Sequence, residues 1–153
     1  METEPETILI VDDNRNDIEL TISTLSENNI VNDITVAEDG VEALDFLYKR
    51  GKFAGYQNGN PAVILLDIKM PRMNGIEVLK YIRSTPKFMK IPVIIVTSSD
   101  DEKDLIKSYK LGVNAYVVKP IDIVQFIDAI KTLGQCLAVI HKVPVPVQDV
   151  FKF

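Results

Sequence analysis

The chain has one cysteine, Cys136, in 153 residues, which excludes an intrachain disulfide and fits a reducing, cytoplasmic setting. Cys136 lies in an apolar helical pattern and reads as a packing residue. Long apolar runs are missing: none approaches the roughly 18–20 residues of a membrane-spanning helix, so no membrane partner is expected. No Lys/Arg cluster stands out, and 17 basic residues against 22 acidic ones leave a net charge of −5. Nucleic-acid binding depends on a basic face that neutralises phosphates, so no nucleic-acid partner is expected either. The acidic opening Met1-Glu2-Thr3-Glu4-Pro5-Glu6 lacks the positive n-region of a secretory signal. What is present is an ordinary soluble composition, 46% hydrophobic and 25% charged, at a length that buries one full core.

Strand-like and helix-like segments alternate throughout. The apolar runs 7–11, 33–37, 62–66, 92–97 and 114–118 read as strands. Asn14 caps a first helix with Ile18, Ile22 and Leu25 on one face. Further helices are expected over 40–50, 75–84 and 101–111. A last one starts near Asp122, with Val124, Ile127, Ile130, Leu133 and Leu137 along one face. The strands are continuous apolar runs, as expected when helices cover both sheet faces. Right-handed βαβ units in this order give an α/β fold, a doubly wound five-stranded parallel sheet. Its ligand crevice lies at the carboxyl ends of the strands.

Five residues fall at those ends: Asp12, Asp13, Asp67, Thr97 and Lys119. Three carboxylates brought together repel one another, and a divalent cation relieves that repulsion. All-oxygen ligands suit Mg²⁺ or Mn²⁺ rather than zinc. Lys119, just before Pro120, adds an ammonium able to neutralise phosphoryl oxygens. Thr97 adds a hydroxyl, and Tyr116 shares a strand face with Val118. The bland alternatives are helix-capping acids, a surface lysine and a core tyrosine.

Together, Val11-Asp12-Asp13, Leu65-Leu66-Asp67-Ile68-Lys69-Met70-Pro71-Arg72-Met73-Asn74-Gly75, Val96-Thr97-Ser98 and Lys119-Pro120 resemble the receiver domain of two-component response regulators. The resemblance covers roughly residues 6–138. It implies a flavodoxin-like strand order 2-1-3-4-5 and a phosphoacceptor at Asp67. Mg²⁺ would be held by Asp12, Asp13, Asp67 and the backbone carbonyl of Lys69. The phosphoryl donor would be the phosphohistidine of a sensor histidine kinase, with Lys119 and Thr97 contacting the phosphoryl group. The chain would catalyse only its own phosphorylation and dephosphorylation. Thr97 and Tyr116 would form the switch that alters the surface of the fourth helix, fifth strand and fifth helix. The Lys119-Pro120 bond is expected to be cis. The turn-rich loop 51–61 and the apolar tail resemble those of single-domain regulators partnered with bacterial phytochrome kinases.

The tail, residues 139–153, carries eight apolar residues and two prolines, Pro144 and Pro146, that bar helix and central-strand pairing. It reads as a dimerisation arm, with an arm folded back on its own domain as the alternative; the helix 4/strand 5/helix 5 face is the other dimer surface. No output domain is expected. His141 reads as solvent-facing. Three rival functions stay open. An Asp-nucleophile phosphatase would need a second Asp where Lys69 stands. A flavin carrier would have its phosphate repelled by Asp12 and Asp13. An unphosphorylated receiver-like scaffold would have no need of the full pocket.

Overall fold

Among the described residues, five short apolar strands and five α-helices alternate: β1 Ile8–Val11, α1 Arg15–Glu27, β2 Ile34–Ala37, α2 Gly40–Tyr48, β3 Val63–Leu66, α3 Gly75–Ser84, β4 Val93–Thr97, α4 Glu102–Lys110, β5 Ala115–Val118 and α5 Ile123–Lys131. The computed structural model describes residues 7–27, 33–56, 59–120 and 122–131. All strands run parallel in one sheet ordered β2-β1-β3-β4-β5, the doubly wound arrangement expected. β1, β3 and β4 are buried at every position because helices cover both faces. One core layer packs α2 and α3 on Leu9, Val11, Ile64, Leu66 and Ile95. The opposite layer packs α1 and α5 on Ile8, Ile10, Val63, Leu65 and Ile94.

Every helix is entered through an Asn or Asp side chain that accepts a backbone N–H: Asn14, Asp39, Asn74, Asp101 and Asp122. Asn74 and Glu77 form a reciprocal capping box, so the chain leaving β3 turns into α3 at a fixed place. Gly75 follows at once, where a Cβ would overlap the Asp67 carbonyl oxygen. Only glycine lets α3 start this close to the strand end.

Several sequence expectations need adjustment. The second helix stops at Tyr48 rather than near residue 50, because Lys49 turns left-handed at φ 57° and donates its N–H back to the last turn. All five strands start one residue later than expected, after Thr7, Asp33, Ala62, Pro92 and Asn114. Part of the loop 51–61 is a 3₁₀ turn, Gly51–Phe53. On α5, Val124 is 54% exposed and faces outward; Phe126 and Ala129, three apart, are buried instead. Phe126 is about 200° round the helix from Val124, so the face that buries Phe126 and Ala129 turns Val124 to solvent. Leu133, Cys136, Leu137, His141 and the tail 139–153 lie outside the described residues.

Candidate functional site

Backbone pairing at the strand ends assembles the site. The Asp12 N–H donates to the Ala37 carbonyl, Asp67 N–H to Val11, and Lys119 N–H to Thr97. Each strand is thereby stitched to its neighbour one residue past the sheet. Residues far apart in sequence emerge side by side at one edge. The Lys119-Pro120 peptide bond is cis, as expected.

Lys119 is the centre of the cluster. Its Nζ donates to Asp12 Oδ2 at 2.6 Å, Asp17 Oδ2 at 2.9 Å and Asp67 Oδ2 at 3.2 Å. The Lys119 and Asp67 side chains are only 10% and 7% exposed. Burial alone would lower the lysine's affinity for its proton. The bonds to Asp12 and Asp17 and the charges of Asp67 and Asp12 outweigh that and push it above its ordinary value. The Asp12 carboxyl is also raised above its ordinary value: burial outweighs the bonds from Lys119 and the Asn14 N–H. Asp67 Oδ1 accepts from the Ile68 N–H at 2.7 Å. The carboxyl group is therefore held at both oxygens.

Asp13 is exposed, yet one oxygen each from Asp12, Asp13 and Asp67 lie within 4.8 Å of one another. Such an all-carboxylate set fits a hard divalent cation that keeps several waters. Lys69, two residues past Asp67, is exposed. The three acids are suited to hold a divalent cation such as Mg²⁺.

Thr97 is fully buried at the end of β4. Its Oγ1 accepts from the Ser99 N–H at 3.3 Å. Tyr116, half-buried on β5, donates its hydroxyl to the Ser99 carbonyl at 2.8 Å. Burial raises its pKa, as do the carboxylates of Asp104, Asp101 and Asp100, so the phenol stays a neutral donor. Ser99 Oγ also donates to Asp104 Oδ2 at 2.8 Å. The segment after β4 is therefore tied to Tyr116 on one side and to α4 on the other.

Two features escaped the sequence reading. Asp17 reaches Lys119 from the first turn of α1. The capped start of α1 places this turn near the strand ends, but an acid there also reads as an ordinary partner of the helix dipole. Arg72, at φ 63°, donates through Nε and Nη2 to Asp39 Oδ2 at 2.9 and 2.6 Å. That contact pins the segment after Asp67 to the start of α2. It joins residues with no shared spacing pattern, so only the fold reveals it.

Comparisons with known proteins agree with this fold. Residues 8–131 match the family described as "Response regulator receiver domain". The chain is 38% identical over 116 residues to response regulator Rcp1 of Synechocystis sp., covering 75% of this chain and 77% of that protein. A structure of Rcp1 in its Mn²⁺-bound form superimposes with a TM-score of 0.72 at 31% identity, covering 94% of this chain and 100% of the other. The bacteriophytochrome response regulator RtBRR superimposes at 0.80 with 46% identity, covering 93% of this chain and 82% of that one. For the bacteriophytochrome response regulator AtBRR the values are 0.82 and 43%, covering 94% and 100%.

Proposed function

From this chain's membership of the response regulator receiver domain family, we propose that it accepts a phosphoryl group on Asp67 from the phosphohistidine of a sensor histidine kinase. The observation that carries the assignment is the contact of Lys119 Nζ with both Asp12 and Asp67, beside a third carboxylate, at the carboxyl edge of a parallel sheet. A carboxylate oxygen of Asp67 attacks phosphorus, and the P–N bond breaks toward the imidazole of the donor. Lys119 stands ready to neutralise charge on the transferring oxygens without reorganisation. Asp12, Asp13, Asp67 and the Lys69 carbonyl would hold Mg²⁺, or Mn²⁺ in its place, which supplies further positive charge to the phosphoryl oxygens when bound. Slow hydrolysis of the acyl phosphate would reset the protein.

The readout uses Thr97 and Tyr116. A phosphoryl group offers the Thr97 hydroxyl a new acceptor, and the segment carrying Ser99 moves with it. Tyr116, bonded to the Ser99 carbonyl, follows. The surface it borders is a groove of about 400 Å³ lined by Tyr109, Tyr116, Val118, Gln125 and Asp128. Leu105, Ile106 and Val124 are exposed nearby on α4 and α5. This face, or the arm 139–153, is the proposed surface of a homodimer. Identity to two bacteriophytochrome response regulators over more than nine-tenths of this chain supports a phytochrome kinase as the donor.

Intact mass after incubation with Mg²⁺ and acetyl phosphate tests the assignment. One phosphoryl adduct is expected on wild type and none on Asp67→Asn; an adduct retained by the variant would move the acceptor elsewhere. Phosphotransfer from a light-regulated phytochrome kinase, compared with an unrelated histidine kinase, tests the pairing. Equal transfer from both would end the case for phytochrome.

A further inference from the structure

Asp17 has no part in the phosphoacceptor chemistry just described, yet it touches the cation on which that chemistry depends. An ammonium has three N–H donors, and those of Lys119 go to three different carboxylates. Asp12 and Asp67 follow strands and belong to the converging acids. Asp17 sits on α1, outside that group. Its own backbone is well held, with its N–H on Asn14 Oδ1 at 3.1 Å and its carbonyl accepting from Thr21 Oγ1 at 2.9 Å. Asp17 lines a small cleft, about 60 Å³, together with Leu20, Thr21, Thr24, Lys119 and Pro120. Of the three contacts, the one to Asp67 is the longest, at 3.2 Å.

Resting on the proposed phosphoacceptor role, we propose that Asp17 is a positioning residue for Lys119. It retains one N–H of the ammonium in both the resting and the phosphorylated protein. Asp12 retains a second. Only the third, facing Asp67, passes to a phosphoryl oxygen. A lysine side chain is a flexible four-carbon stem ending in a freely rotating point charge. Two fixed acceptors remove that freedom before the reaction begins. Without Asp17 the ammonium keeps its charge and loses its aim.

The reaction with acetyl phosphate isolates this effect. An Asp67 oxygen bonds to phosphorus, the P–O bond to the acetyl group breaks, and acetate leaves with the electron pair. Wild type, Asp17→Ala and Asp17→Asn are compared at saturating Mg²⁺. Asp17→Ala is expected to be phosphorylated about tenfold more slowly, the scale of a catalytic group left misplaced. Asp17→Asn keeps an oxygen acceptor in place and is expected within about threefold of wild type. In metal-free protein, the Lys119 ammonium protons, followed by NMR, should exchange with water about tenfold faster in Asp17→Ala, because an anchoring bond is gone.

Three results would each overturn the inference: an Asp17→Ala rate equal to or above wild type, an Asp17→Asn rate as slow as Asp17→Ala, or unchanged proton exchange. Calorimetric Mg²⁺ affinity is measured alongside; a loss large enough to account for the slower rate would assign the effect to the metal and overturn it too. A wild type that takes up no phosphoryl group would defeat the proposed function itself, and this inference with it.

Discussion

At the scale of single residues, one cation organises the site and one ion pair steadies its border. Lys119→Ala would leave the buried carboxylates of Asp12 and Asp67 facing each other without a cation. Unfolding free energy in chelator at pH 7 should fall by about 3 kcal/mol, the usual cost of breaking a buried pair. Mg²⁺ should restore part of it, so urea melts with and without the metal check both statements. Asp39 behaves differently. Burial opposes its charge, but the Glu42 N–H and the Arg72 guanidinium outweigh burial and hold its pKa below 3.8. A lowered folded pKa means stability that is present above 3.8 and lost as pH falls through the folded value. Arg72→Ala should therefore cost about 0.5–1 kcal/mol at pH 7, discounted for its half-exposed guanidinium, and nearly nothing near pH 2. Denaturant melts at the two pH values read the difference. At this scale the sequence was informative where chemistry is unusual for its place: Asp12, Asp13, Asp67 and Lys119 were recognisable as charges ending apolar runs. Asp17 and Arg72 were not, because charged residues on a helix turn or in a loop are ordinary until a partner across the fold is visible.

At the scale of elements, the segment from Asp67 to α3 carries the tightest constraints. Asn74→Ala removes the acceptor for the Glu77 N–H and should cost about 1 kcal/mol in equilibrium unfolding. Gly75→Ala is a different kind of change. A methyl group would meet the carbonyl of Asp67 itself, so α3 must shift away from the strand end. A loss of about 1–3 kcal/mol is expected, together with slower phosphorylation by acetyl phosphate, since Asp67 moves with its carbonyl. Asn74→Ala should not slow that reaction comparably. Matching rates for the two variants would show that the close approach of α3 does not set the position of Asp67. The elements themselves were legible from apolar runs and capping residues. Their ends were not: Lys49 stops α2 by its own left-handed turn, which lysine does not advertise. Val124 turned out to face solvent, because an apolar period alone does not say which of several overlapping apolar stripes on α5 meets the core.

At the scale of the whole molecule, the sheet order determines which residues meet. With β1 between β2 and β3, Asp12 and Asp67 leave adjacent strands and share the Lys119 ammonium; with β4 next to β5, Thr97 and Lys119 are joined through the main chain. Assembly belongs to this scale too. On the proposal that the arm joins two copies, the full chain should sediment as a dimer and a chain ending at residue 140 as a monomer at micromolar concentration; two identical species would remove the arm from the interface. The sequence by itself determined the class of fold, the residues that end the strands and the kind of chemistry they support. Those follow from local hydrophobicity and charge, which each segment carries alone. Only the tertiary structure decided that Lys119 divides its three donors among Asp12, Asp17 and Asp67, that Arg72 closes on Asp39, and that Tyr116 holds the Ser99 carbonyl. Such contacts are made across elements, and their existence depends on distances set by packing that no single segment encodes.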